Sequence, residues 1–306
     1  MSDGEIWRRE YETNRYLEKI DGGALERRRE HILRNLWSTD RDGYVTPPRF
    51  ATARRGMLRL LLHTMLEQMA RDGIQDCLFD EATLREDASA GYMRPILTTP
   101  YLGPPDCYTK YGQREHIRED LNAGRLRICP ASAYNDDSLN AAQQDDELIH
   151  AAITAKKSIV FQLYGLDKHG SEVPVPTESM ELFRYMSVTN FYVWCCGLGY
   201  DARMFRDFHA NAALIIRDKE GFQKRMAHIV SRALPDGDIL HGPITYYDPY
   251  SIQREELRPI FMKNFAYLYQ NEYRFAWAAA PDRPLAPFFV ELGPLTDIAE
   301  VVEIVP

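Results

Sequence analysis

The sequence has no C-x-x-C pair and no H-E-x-x-H motif, which argues against a structural or hydrolytic metal site. Its five cysteines, Cys77, Cys107, Cys129, Cys195 and Cys196, are odd in number and irregularly spaced, so they do not read as a disulfide framework and fit a reducing cytoplasm. No apolar run approaches the length that spans a bilayer; the stretch 57–69 is interrupted by Arg59, His63, Glu67 and Gln68, so no membrane role is expected. The opening residues, MSDGEIWRREYE, carry no apolar core and predict no signal peptide. No internal repeat or low-complexity tract is present. Positive charge is in deficit, with 37 Lys and Arg against 45 Asp and Glu, a net charge of -8. That excludes broad non-specific binding to phosphate backbones but leaves room for a local basic groove. What is present is core-forming material: 45% of the 306 residues are hydrophobic and 11% aromatic, enough for about two domains.

Residues 1–36 predict charged helix with a broken apolar stripe, interrupted at Gly22-Gly23. A second, more apolar helix is expected from about Arg49 to Asp72 and closed by Gly73, and another over 79–86. Residues 91–105 hold four prolines and two glycines and read as a linker. The chain therefore divides into a helical module, 1–90, the linker 91–105, and a second domain, 106–306.

That second domain opens as strand (107–111), helix (113–122) closed by Gly124, strand (126–129), and an Asn-Asp turn at 130–137. Residues 139–154 read as polar helix with a solvated acidic face at Asp145-Asp146-Glu147. Strands are expected at 158–164, 188–196, 212–216, 244–247 and, last, 288–292; helices at 204–208, 218–230 and 255–263.

The organising stretch is YQNEYRF, residues 269–275. Read as a strand, it places Gln270, Glu272 and Arg274 on one face. Two readings stand. The plain one is a Glu–Arg pair and a neighbouring Gln on a solvated face, since charged side chains are mostly exposed. The sharper one is a Gln-x-Glu pair in which the glutamate stabilises an electron-poor sugar cation and the amide holds an acceptor.

Five sets of residues, in order, are Tyr108, Lys110 and Tyr111; Gly124, Leu126 and Arg127; Tyr134, Asn135 and Asp136; Cys195 and Cys196; and Gln270, Glu272, Tyr273 and Arg274. Together they resemble the ADP-ribosyltransferase fold, and more closely a bacterial domain family with Y-K-Y, G-x-(L/I)-R, F/Y-N-D and Q-x-E-(Y/W)-R motifs. The likeness covers about 106–292. It implies an α+β domain on a mixed, split β-sheet preceded by a small helical module. It implies a mono-ADP-ribosyltransferase of toxin or phage-defence type that uses NAD as substrate and needs no metal. The acceptor would be nucleic acid or protein, and a neutralising partner protein would accompany it.

The resemblance implies catalytic roles for Glu272 and Gln270. Lys110 stands where His or Arg is usual, and Phe208 where Tyr is common; Tyr108 or Phe208 would stack on nicotinamide. Lys110 or Arg127 would bind the pyrophosphate, with Asn135 and Arg274 completing the NAD-binding set. Glu272 is expected to face one cleft with Tyr108 and Lys110. Alternatives are a non-catalytic binding module on a degenerate version of the fold, or an NAD glycohydrolase.

Overall fold

The computed structural model describes residues 2–39, 45–47, 51–73, 103–156, 164–175, 181–234, 239–278 and 285–304. The expected helix at 79–86, most of the linker at 91–105 and most of the strand at 158–164 lie outside them. The elements are α1 (Asp3–Thr13), α2 (Gly22–Arg34), β1 (Ser38–Thr39), β2 (Val45–Thr46), α3 (Ala51–Asp72), β3 (Tyr108–Gly112), α4 (Arg114–Ala123), β4 (Arg125–Pro130), β5 (Ile149–Thr154), β6 (Tyr164–Leu166), β7 (Glu172–Pro174), β8 (Leu182–Ser187), β9 (Phe191–Leu198), α5 (Arg203–Asp207), β10 (Ala212–Ile216), α6 (Lys219–Ala233), β11 (Ile239–Pro243), β12 (Thr245–Tyr247), β13 (Met262–Asn264), β14 (Glu272–Ala278), β15 (Phe288–Glu291) and β16 (Ala299–Glu303).

The protein is α+β, built on an eight-stranded sheet. Six strands run in the order β11-β14-β9-β3-β10-β16, and β15 and β4 join β9 as a side branch. A mixed sheet was the expectation, but every pair in this sheet is antiparallel. The only parallel pair among the described residues, β12 with β13, lies apart from it. Antiparallel neighbours need no crossover helix between them, so α4 and α6 are free to cover one face.

The sheet forks at β9. Its C-terminal end pairs with β3, at Leu198–Tyr108 and Gly197–Thr109, and its N-terminal end pairs with β4, at Val193–Cys129 and Tyr192–Pro130. Between the two pairings, residues 194–196 have no strand beside them on that edge among the described residues.

Alternation along the strands assigns the faces. One face carries Tyr108, Trp194, Leu214, Phe275 and Trp277 into the main core, against Ile117 of α4 and Phe222, Met226 and Val230 of α6. Full burial of such side chains stabilises by roughly 1.5–3 kcal/mol each. The other face carries Thr109, Cys195, Glu272 and Arg274, set in register through Thr109–Gly197–Glu272 and Cys195–Arg274.

The N-terminal helices are bound to the strand domain through polar clamps. The Arg28 guanidinium, 3% exposed, donates twice to the Asp248 carboxylate at 2.7 Å. Asn35 donates from its amide to the Phe265 carbonyl at 3.0 Å and accepts from the Tyr269 N–H at 2.7 Å. These contacts fix the segment that leads into β14.

Several expected elements differ, each for a local reason. Gly22-Gly23 begins α2 rather than interrupting a helix, because the Asp21 carboxylate caps the Ala24 N–H; the break lies at 14–21. Residues 139–148 are turns, not helix. Asn140 accepts from the N–H groups of Ala142 and Gln143, and Asp146 from Leu148, so side chains take the donors that a helix would use. The segment 255–263 is not an α-helix but two 3-10 turns leading into β13; Pro259 holds Arg258 out of the helical region. The last strand is β16, not the one at 288–292. YQNEYRF is a strand only from Glu272 onward. Gln270 ends a 3-10 turn, and Asn271 adopts the left-handed conformation, φ 44°. Asparagine tolerates that region, and here its side-chain amide donates to the Leu198 carbonyl at 2.5 Å.

Candidate functional site

A cavity of about 880 Å³ opens where β3 and β4 diverge from β9. Cys195, Cys196 and Gly197 form its base, Thr109, Lys110 and Tyr111 one wall, and Arg127, Cys129 and the 132–143 segment the other. Glu147, Lys263, Gln270 and Glu272 close the far side. The fork itself creates this space, since a continuous ladder would fill it.

Lys110 belongs by alternation to the core face, opposite Leu214. Its long stem turns through the fork, and the ammonium donates to the Cys195 carbonyl at 2.8 Å, beside the Trp194 ring. It thereby satisfies a carbonyl in the unpaired part of β9 and presents charge to the cavity.

Glu272 sits at the first position of β14, 6% exposed. Its Oε2 lies 3.2 Å from the Lys263 ammonium and its Oε1 accepts from Arg274 Nε at 2.9 Å. Arg274 Nη2 meets Glu147 Oε2 at 2.8 Å, and Lys263 meets Glu147 and Asp145, each at 3.3 Å. Lys263 also donates to the Gln270 amide oxygen at 3.3 Å. Three carboxylates and two cations thus share one buried network, with a formal excess of one negative charge. Such a network holds together only because each charge is paired.

The titrations follow from this packing. Burial pushes the Glu272 carboxyl up, but Arg274 and Lys263 outweigh it and hold it down at about 2. Asp145 lies on the negative side of the balance: burial raises it to about 6 in spite of Lys263, and the neighbouring Glu147 adds to the rise. Burial pushes the Cys195 thiol far up, with the Glu272 charge adding to it, so it is an unreactive thiol.

The positions singled out in the sequence divide as follows. Glu272, Gln270, Lys110, Arg127, Asn135 and Phe208 line the cavity. Gln270 arrives there through the Asn271 turn rather than by strand alternation, and its amide nitrogen donates to the Ala142 carbonyl at 2.6 Å. Phe208 stacks on Tyr111 with the rings 10° from parallel. Asn135 is exposed and donates to Asp146 at 3.2 Å.

Two positions do not fit the expected arrangement. Tyr108 is on the opposite face, 1% exposed, its ring 4.6 Å from that of Tyr273 and its hydroxyl bound by Gln223; a core tyrosine cannot stack on a ligand in the cavity. Arg274 is fully buried behind Glu272, where it orients the carboxylate and does not line the cavity.

Lys263, Asp145 and Glu147 escaped the sequence reading. A solvated helix face is the expectation for the acidic run, yet Glu147 is 4% exposed and Asp145 meets Lys263. The available signal was a lysine set between Phe261-Met262 and Phe265, an apolar setting that a charged side chain occupies only with a partner.

Among the described residues no group of His, Cys, Asp and Glu is arranged to hold a metal ion, and no helix is long and apolar enough to cross a membrane. Comparison with protein-family models, with curated proteins and with solved structures finds no match for the chain.

Proposed function

We propose that the chain is a mono-ADP-ribosyltransferase that takes NAD as substrate in the cavity at the sheet fork and passes ADP-ribose to a macromolecular acceptor. The observation that supports this reading best is one carboxylate, Glu272, held ionised at the wall of a cavity of about 880 Å³, with the Lys110 ammonium on the wall across from it. That volume suits a dinucleotide-sized ligand.

The chemistry proposed is as follows. The bond between ribose C1′ and nicotinamide breaks, and its electron pair leaves with nicotinamide. The ribose left behind carries oxocarbenium character. Glu272 lines the cavity as a carboxylate held between Lys263 on Oε2 and Arg274 on Oε1, so on this reading it accepts from a ribose hydroxyl and stabilises that cation. Arg274 and Lys263 fix the carboxylate, which is positioning done before the reaction begins. Lys110 and Arg127 supply charge-assisted donors for the pyrophosphate, and Phe208 the aromatic surface for nicotinamide. The acceptor nucleophile then bonds C1′ and gives up its proton. The split-sheet transferase fold, the nucleic-acid or protein acceptor, the toxin or phage-defence setting and the neutralising partner protein rest on the motif resemblance alone.

A second reading, a non-catalytic binding module, is favoured by a different observation. The Gln270 amide is engaged at both ends, by Lys263 and by the Ala142 carbonyl, so it is not free to hold an acceptor. Incubation with labelled NAD and a cell lysate separates the readings. Transferase activity gives labelled macromolecule and free nicotinamide, both abolished in Glu272→Gln. Free ADP-ribose without labelled macromolecule indicates a glycohydrolase. Neither product from the folded wild-type protein refutes both enzymatic readings and leaves the binding module.

A further inference from the structure

A second cavity, of about 460 Å³, lies between the N-terminal helices and the strand domain, away from the fork. Its walls come from α1, α3, the end of β5, β8 and the turn at 250–253. The side chains facing it carry three cations, Arg59, Lys156 and Arg184, against one carboxylate, Glu10. Arg59 is matched by Glu10 at 3.1 Å. Among the described residues that leaves Lys156, just past the end of β5, and Arg184, on β8, as two positive charges facing the cavity without an ion-pair partner; the Glu181 carboxylate stands behind the Tyr250 wall, accepting from its hydroxyl at 2.7 Å. His63 adds none: burial lowers its pKa, and its ring is fixed between the Tyr16 hydroxyl at 3.2 Å and the Trp7 carbonyl at 3.0 Å.

A surplus of +2 in a concave site is notable in a chain of net charge -8. Concavity matters because low-dielectric walls concentrate the field of like charges on whatever occupies the space. Around the two cations stand hydroxyl and amide groups of Thr154, Ser251 and Gln253, and apolar surface from Ile153 and Ile252. Beneath them the Arg28–Asp248 pair is neutral as a unit and braces Tyr16, whose hydroxyl accepts from Arg28 at 3.2 Å. Cations for an anionic group, hydrogen-bonding groups and an apolar wall describe a site for a small organic phosphate rather than a bare ion.

We propose that this cavity binds a small phosphorylated molecule, its phosphate held by Lys156 and Arg184 and its body against Ile153 and Ile252. The site is separate from the fork and does not depend on the transferase reading. Because its walls come from both parts of the chain, an occupant ties the N-terminal helices to the strand domain and stabilises the whole.

The test uses the full chain with AMP, ribose 5-phosphate and inorganic phosphate as probes and adenosine as the uncharged control. Thermal unfolding and titration calorimetry are the readouts. At a hundredfold excess over Kd, at least one phosphorylated probe raises Tm by about 5 °C or more, and adenosine does not. Which of the three probes does so distinguishes a nucleotide, a sugar phosphate or a simple phosphate as the source. Arg184 is exposed and Lys156 half-buried, so Lys156→Glu/Arg184→Glu folds as the wild type does by circular dichroism. In that variant the Tm shift disappears and affinity falls at least a hundredfold. The proposal is overturned if no phosphorylated probe shifts Tm or gives heat. It is equally overturned if the shift persists undiminished in the double variant, which places binding elsewhere, the fork included.

Discussion

Replacing Lys263 by methionine removes the one ammonium that three carboxylates share. In the native protein it lies 3.2 Å from Glu272 and 3.3 Å from each of Glu147 and Asp145, and it is itself 4% exposed. Without it, Arg274 is left with Glu272 and Glu147, Asp145 loses its cation, and the network goes from one excess negative charge to two. Methionine fills most of the volume, so the loss is electrostatic rather than a cavity effect. Breaking a buried ion pair from one side costs roughly 3–5 kcal/mol. That is a large part of the 5–15 kcal/mol or so available to a folded domain.

The loss must also depend on pH. With the ammonium gone, burial raises the folded pKa values of the acids, as it already does for Asp145. A raised folded pKa gives stability that is present below the unfolded value and lost as pH rises through the folded one. The penalty in Lys263→Met is therefore smaller at pH 5 than at pH 8. Urea unfolding at both values measures it. Adding Asp145→Asn to Lys263→Met removes the acid that has lost its cation and restores roughly 0.5–3 kcal/mol of the loss. A cost below about 1 kcal/mol, equal at both pH values and unchanged in the double variant, would refute the network as described.

Asp145→Asn tests an acid that burial raises: its folded value of about 6 against an ordinary 3.8 means stability lost as pH rises across that interval. The variant lacks that slope and is more stable than the wild type at pH 8, by denaturant unfolding followed from pH 4 to 8. Gly124→Ala places a Cβ 2.1 Å from the Gly293 carbonyl oxygen at a residue with φ of +62°, so backbone strain adds to a clash that neither backbone can relieve. A loss of about 2 kcal/mol or more in urea unfolding is expected. Arg28→Met leaves Asp248 buried without its bidentate partner and costs roughly 3–5 kcal/mol. Limited proteolysis detects the loosened helices, and Arg28→Met/Asp248→Leu recovers much of the loss.

Local order was written plainly in the sequence wherever one residue type or one periodicity decides it. Gly73 and Gly124 end their helices with φ of 76° and 62°, as a residue without a Cβ can. The apolar runs at 212–216 and 191–198 became buried strands, and the 3.6-residue pattern of 219–233 an amphipathic helix. In each case the information lies within a few residues of where it acts. The Glu272–Arg274 pair was legible for the same reason, being two positions apart on one strand.

What failed were inferences about burial, which needed the neighbours. Asp145 and Glu147 are acids in a polar run, and nothing nearby tells that Lys263, more than a hundred positions away, draws them into the interior. Tyr108 and Lys110 share a strand face by spacing. Yet the fork in the sheet lets the lysine's flexible stem cross into the cavity and leaves the rigid tyrosine ring in the core. Residue types and their periodicity are enough to say which segments can be strands or helices and which side chains can carry charge. Which of those charges are buried depends on the fold, because the free energy of a buried charge is set by partners whose distance in space has no counterpart in their distance along the chain.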